Sequence, residues 1–165
     1  MATRFILKPE AAEFPSTNFP QLMTIHSTER RLVLAFDAAT AEACMWSAVV
    51  PQGWTGTITA IVTYVMASAT SGKVDFTVEV EAVSDGDTVD LDAATSYDTA
   101  NTITAPTVPG TAGYIDQFTC KLTNNDGSAA GDAIRFRLMR DATDGTNDTA
   151  TGDCYILAVE IRDGA

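Results

Sequence analysis

The sequence predicts a single all-β domain, an antiparallel β-sandwich of jelly-roll type carrying an extended N-terminal arm. Three observations predict it. Apolar and polar residues alternate with a period of two through most of the chain, and no stretch keeps a helical period. The alternating stretches are separated by clusters of Gly, Pro, Asn and Asp, the residues that terminate strands and build turns. At 165 residues the chain is long enough for one well-buried domain and short for two.

Residues 1–20 open the chain differently from the rest. Pro9, Pro15 and Pro20 interrupt regular structure, while Phe5, Phe14 and Phe19 recur as apolar anchors. The segment therefore reads as a partner-binding arm, and an arm folded back on its own domain fits the same residues. The sandwich takes residues 21–165. A weak strand over 21–26 is followed by 31–36, with Leu32, Leu34 and Phe36 on one face, and by 43–50, closed by Pro51 and Gly53. Residues 57–66 place Ile58, Ala60, Val62, Tyr64 and Met66 on one side and mostly Thr on the other. Residues 74–83 set Val74, Phe76, Val78 and Val80 against Asp75, Thr77, Glu79 and Glu81. So clean an alternation requires one face in water. Residues 84–113 form the longest connection, with one short strand at 101–105. Strands at 114–123, 133–140 and 154–162 come next, divided by turn-rich sequence.

Leaving aside the weak first strand, eight main strands remain. Eight suit the two four-stranded sheets of a jelly roll. An immunoglobulin-like sandwich is the alternative, but the Cys–Trp–Cys spacing of that fold is missing. The last strand is expected inside one sheet, with Tyr155, Leu157, Val159 and Ile161 on its core face.

The net charge is −12, and between Asp75 and Asp98 there are eight acidic residues and no Lys or Arg. Such a surface repels phosphate, which argues against nucleic acid and against anionic membranes as partners. Its ordinary role is solubility. Cys44, Cys120 and Cys154 lie apart, each within an apolar strand pattern. They read as buried free thiols of a protein folded in a reducing cytoplasm, although one disulfide with a leftover thiol also fits the count. Neither a signal-peptide core nor a run of about 20 apolar residues is present.

Chemistry-bearing motifs are sparse. His26 is the only histidine, which excludes any site built on two imidazoles and leaves no Ser–His–Asp set. No Gly-rich phosphate loop precedes a helix, and no cofactor is expected. Asp85, Asp87, Asp90 and Asp92 in one loop, and Asp141, Asp144, Asn147 and Asp148 in another, are oxygen ligands at short spacing of the kind calcium takes. Both loops lack the terminal Glu of the helix-flanked calcium motif, and Asp-Gly pairs form turns in any β-protein. Trp46 lies in a strand and reads as packing; Trp54, in PQGWTG, reads as a loop residue open to a sugar ring. Arg135, Arg137 and Arg140 form a basic stripe suited to the acidic strand 74–83 or to a subunit contact.

The segments RRLVLAFDAATAEACMWSAVVPQGW, TYVMASATSGKVDFTVEVEAVSDGD, PGTAG and GDCYILAVEIRD resemble a family of small virion structural proteins of tailed bacteriophages. The likeness spans about residues 31–163 and consists of strands and turns rather than a chemical motif. It implies a jelly-roll-like sandwich with a non-enzymatic, repeated role. The first reading is a capsid decoration (cement) protein on the head surface, made in the host cytoplasm. It would be homo-oligomeric, with a trimer favoured, and would clamp the major capsid protein through the arm. The second is a fibre or spike adhesin module that binds host-surface glycans through loops 84–113 and 141–153.

Overall fold

The computed structural model describes residues 1–164, in which two antiparallel sheets pack face to face. Ten strands build them: β1 (Ala2–Leu7), β2 (Gln21–Ile25), β3 (Arg31–Phe36), β4 (Glu42–Val49), β5 (Thr59–Met66), β6 (Phe76–Val83), β7 (Asn101–Thr102), β8 (Asp116–Lys121), β9 (Ala133–Arg140) and β10 (Cys154–Asp163). The six-stranded sheet runs β2-β3-β10-β5-β8 with β1 also on β10, and the four-stranded sheet runs β4-β9-β6-β7. The all-β sandwich expected from the sequence is therefore the fold. Its strand count is higher because residues 2–7 and 21–25 both join the larger sheet.

Residues 1–20 are folded back on their own domain. β1 pairs with the second half of β10, from Ala2 opposite Asp163 to Leu7 opposite Val159, while β3 pairs with the first half of the same edge. Leu7 is buried, and the ring of Phe5 lies 5.9 Å from both Trp54 and Phe136. Phe5 is thus an internal wedge rather than a contact for a partner, because the alternation of Phe5 and Leu7 satisfies a strand before Pro9 is reached. The prolines shape the segment beyond β1. After a 3-10 turn at Pro9–Ala11, the chain crosses to the smaller sheet and runs beside β4, where Glu13 and Met45 exchange both backbone hydrogen bonds and Ala43 N–H donates to Asn18. An open sheet edge is thereby covered.

The core between the sheets is built from the predicted faces of β5 and β6. Phe36, Phe76, Phe118 and Tyr64 form a chain of ring contacts through it, with centroids 5.2–5.9 Å apart. β10 departs from its expected phase. Ile156 faces Tyr64 while Ala158 faces Thr63, so Leu157 is the extra residue of a β-bulge. A single inserted residue reverses which side chains point inward. Val159 and Ile161 are in the core as expected, whereas Tyr155 and Leu157 face outward and Cys154 and Ile156 take their places.

Arg140 is the second departure. Strict alternation along β9 puts it with Ile134, Phe136 and Leu138 rather than with Arg135 and Arg137, and its side chain is wholly buried. It survives there because all its donors find acceptors. Nε and Nη2 donate to the two carboxylate oxygens of Asp148 at 2.9 and 2.8 Å. The carbonyls of Phe36, Gly152 and Ala150 accept the remainder at 3.2–3.3 Å. Asp148 also accepts the Asp75 backbone N–H at 3.0 Å. The connection from β9 to β10 is thus tied to β3 and to the start of β6. It lies so close to residues 68–73 that a Cβ on Gly72 would stand 2.8 Å from the Thr149 and Ala150 backbone, and one on Gly152 would stand 2.6 Å from Ser68 Oγ.

Breaking a buried pair by removing one partner costs about 3–5 kcal/mol. Asp148→Ala is accordingly expected to shift the urea midpoint far down. Arg140→Met with Asp148→Leu should recover only part of the loss, since three carbonyls stay unpaired; equal stability of Asp148→Ala and wild type would refute this account of the pair. A second expectation concerns β1. Arg4 donates to Asp163 at 2.6 Å, and the Thr55 N–H donates to the same carboxylate at 2.9 Å. Arg4 holds the Asp163 carboxyl below its ordinary value of 3.8, opposed by burial and aided by Thr55. A carboxyl lowered in the folded state contributes stability above about pH 4 and loses it as pH falls through the folded value. Protection of the amides of residues 2–7, taken relative to intrinsic exchange at each pH, should therefore fall on acidification below about pH 4, and Asp163→Asn should remove that dependence.

Candidate groove on the four-stranded sheet

The outward face of the smaller sheet is ordered in cross-strand rows. From β4 through β9 to β6 these are Ala43–Met139–Thr77, Met45–Arg137–Glu79, Ser47–Arg135–Glu81 and Val49–Ala133–Val83. Two Arg–Glu neighbours therefore occupy its centre, flanked by apolar rows. Arg137 Nε lies 3.0 Å from Glu79 Oε2, so the basic stripe meets the acidic strand within one sheet. Opposite charges side by side on a sheet stabilise its pairing.

Two straps convert this face into a groove. On one side runs the segment beside β4, from which Glu13 reaches Arg135 Nη2 at 2.6 Å. On the other, Ser96 donates from its backbone to Glu81 at 2.6 Å, and the Asp98 N–H donates to Val80 O. The Tyr97 ring is thereby laid against Arg137, whose guanidinium carbon stands 5.5 Å from the ring centroid. Between the straps lie two basins of about 440 and 240 Å³, which meet at Thr95 and Arg135. Together they follow β4 and β9 from Glu42 and Met139 to Ala48 and Ala133.

The polar groups of this face are unusual for being unpaired. Tyr97 Oη, Arg135 Nε and Thr77 Oγ1 are buried without a hydrogen-bond partner, and among the described residues the only such atom outside this face is Thr59 Oγ1. Glu79 Oε2 shares their burial and meets Arg137 as an ion pair without hydrogen-bond alignment. An orphaned buried donor or acceptor costs about 1–3 kcal/mol, so the gathering of several on one face is a local cost that packing elsewhere offsets. Burial pushes the Tyr97 phenol up to about 12 against the pull of Arg135 and Arg137. Burial likewise raises the Glu42 carboxyl, with the Asp37 N–H opposing.

The residues singled out from sequence are distributed otherwise. Phe14 and Phe19 come together, ring centroids 5.5 Å apart and 37% and 44% exposed, on the strap that borders the larger basin. Trp54 is buried against Phe5 and donates to Ser128 Oγ at 3.1 Å; it is a packing residue, not the open loop platform its sequence suggests. Asp85, Asp87, Asp90 and Asp92 lie on an exposed loop, where Asp87 and Asp90 accept local backbone N–H groups. Asp141 and Asp144 close Asx turns, and Asp148 is committed to Arg140. Among the described residues no three His, Cys, Asp or Glu converge as a metal site. His26 turns its Nδ1 to the Glu29 N–H. The three thiols are buried, and desolvation raises each of them, Cys120 to about 11. They are poor nucleophiles. The groove itself was missed in the sequence because Tyr97 and residues 13–18 carry no periodic signal.

No protein-family profile matches the sequence, and no curated protein matches it either. Solved structures do match the fold. A family 35 carbohydrate-binding module from an environmental isolate superposes with a TM-score of 0.55 at 13% identity, covering 98% of each chain. The CBM22-2 xylan-binding domain of Paenibacillus barcinonensis Xyn10C gives 0.53 at 16%, covering 97% of this chain and 99% of that one. The family 35 module of Cellvibrio japonicus Abf62 gives 0.51 at 9%, covering 98% and 94%. The chain has the β-sandwich jelly-roll fold of these modules over nearly its whole length.

Tyr97 supplies a direct check of the groove's interior. In an alkaline titration followed at the phenolate absorbance, the difference between wild type and Tyr97→Phe should emerge only near pH 12. A difference already complete near pH 10 would place the ring in open water.

Proposed function

We propose that this protein is a non-catalytic glycan-binding module whose ligand lies along the groove of the four-stranded sheet. The observation that carries the reading is the groove between the two straps, whose lining sets the polar side chains of Thr17, Asn18, Glu42, Thr95 and Arg135 beside Met45, Met139 and Tyr97. A sugar chain is a run of hydroxyls with apolar ring faces. Its hydroxyls suit the polar side chains that line the groove, and its ring faces suit Met45, Met139 and the Tyr97 ring. The reading is further supported by the fold, which carbohydrate-binding modules share, including one that binds xylan.

A capsid decoration role, with the major capsid protein as partner, rests on the sequence resemblance. The clamp attributed to residues 1–20 has lost its reach, since β1 and Phe5 belong to the sandwich. The groove favours the glycan reading over it. The two share one element, a sandwich repeated on a particle surface, and a virion location remains part of the proposal only in that sense.

Affinity electrophoresis through gels containing xylan, galactan, mannan or bacterial polysaccharide tests the reading. At least one polymer should retard the protein, and Tyr97→Ala and Arg135→Ala should each weaken binding by ten-fold or more, equivalent to at least about 1.4 kcal/mol. Tyr114→Ser, on the far side of the molecule, should bind as wild type. Retardation unaffected by both groove variants, or none with any polymer, would overturn it.

A further inference from the structure

We propose that copies of this chain associate head to tail, a trough on the outer face of the six-stranded sheet receiving the acidic loop 84–98 of the next copy. The trough consists of two adjoining depressions of about 370 and 380 Å³, which share Arg31, Ile115 and Leu157. Part of its floor is apolar, because the β10 bulge turns Tyr155 and Leu157 outward, where Ile25 and Val65 join them. At its rim Tyr114 and Ile115 are 65% and 63% exposed. Contiguous apolar surface of this kind marks a contact site.

Charge identifies the occupant. The charged residues lining the trough are Lys8, Arg31 and Glu10. Arg30 adjoins Arg31 in sequence, with Glu29 beside it. Neither lysine nor arginine of this group enters an ion pair among the described residues, whereas Arg4, Arg135, Arg137, Arg140 and Arg162 all do. Lys73 and Lys121 also stand outside these ion pairs and lie away from the trough, so in a chain of net charge −12 three of the five such cations are at or beside this apolar surface. The fitting partner is acidic and apolar at once. Loop 84–98 has that composition: Asp85, Asp87, Asp90 and Asp92 surround the exposed side chains of Val89 and Leu91, with no Lys or Arg.

Geometry then fixes the mode of assembly. Leu91 lines the smaller basin on the four-stranded sheet, so the loop lies on the opposite face of the sandwich from the trough. Complementary patches on opposite faces make a heterologous contact, which yields a ring or an open array and excludes a two-fold dimer through these surfaces. Net repulsion between copies is damped beyond about 8 Å at physiological salt, while pairs in contact are screened much less.

Sedimentation velocity of the full chain over a wide concentration range, at about 0.15 M salt, tests this. The wild type should rise with concentration from 17.5 kDa to multiples of that mass. Arg31→Glu and Asp90→Arg should each remain at monomer mass at concentrations where the wild type associates, with unchanged far-UV dichroism. In an equimolar mixture the native loop of the Arg31→Glu copy should meet the native trough of the Asp90→Arg copy to give pairs, and growth beyond two copies should follow only because the Glu-bearing trough accepts the Arg-bearing loop. A wild type that stays monomeric throughout, or an assembly indifferent to Arg31→Glu, overturns the proposal. At concentrations low enough for both to be monomeric, retardation by glycan should be the same for Arg31→Glu and wild type, so the two proposals fail separately.

Discussion

The bidentate pair of Arg140 and Asp148 is the constraint on which the rest of the sandwich depends. A guanidinium with no exposed surface is tolerable only when each of its donors is met, and here the acceptors come from two distant places in the chain: Asp148, Ala150 and Gly152 of the β9–β10 connection, and Phe36 at the end of β3. Each acceptor fixes a piece of backbone. The long connection between β9 and β10 becomes part of the core, and its carboxylate reaches on to the first residue beside β6. Two glycines, Gly72 and Gly152, are required by that closeness, because a side chain at either would push the connection off its acceptors. One buried charge thus sets the path of a loop, the end of a strand and the identity of two residues without side chains.

The interior and the groove obey opposite rules. Inside, the polar atoms of Arg140 and Asp148 are saturated, and Asn101 donates from its amide to Val78 and Asn124 and accepts from the Asn124 N–H. On the four-stranded sheet, three atoms that could have been satisfied or replaced by apolar ones are neither. Folding tolerates a few such groups at a cost. Their collection on one face, beside two straps that come from distant parts of the chain, is the departure from local consistency that sets this sheet apart from the core.

Alternation made the sandwich legible, and it failed where alternation itself breaks. The core faces of β5 and β6 were readable because Ile58 to Met66 and Val74 to Val80 keep their phase throughout. The face of β10 was half readable, since nothing in DCYILAVEIR distinguishes a bulge at Leu157 from an unbroken strand. Arg140 was assigned to the outer stripe by its type rather than its parity, and parity places it inside. Phe5 was hidden by the prolines downstream of it; they end β1 without preventing it. Tyr97 and Glu13 reach the groove only through the tertiary paths of their loops, for which no local pattern exists.

The pairing of β1 with β10 brings the two ends of the described chain to a single place, Ala2 lying opposite Asp163. Tension applied there acts along an antiparallel ladder from its open end. Its hydrogen bonds would then be loaded one after another instead of together, so β1 would peel away as a zipper opens. The Arg4–Asp163 contact is the first link to bear that load. A module attached by these ends therefore yields first at its seam, with Arg140 and the groove far along the sequence of events.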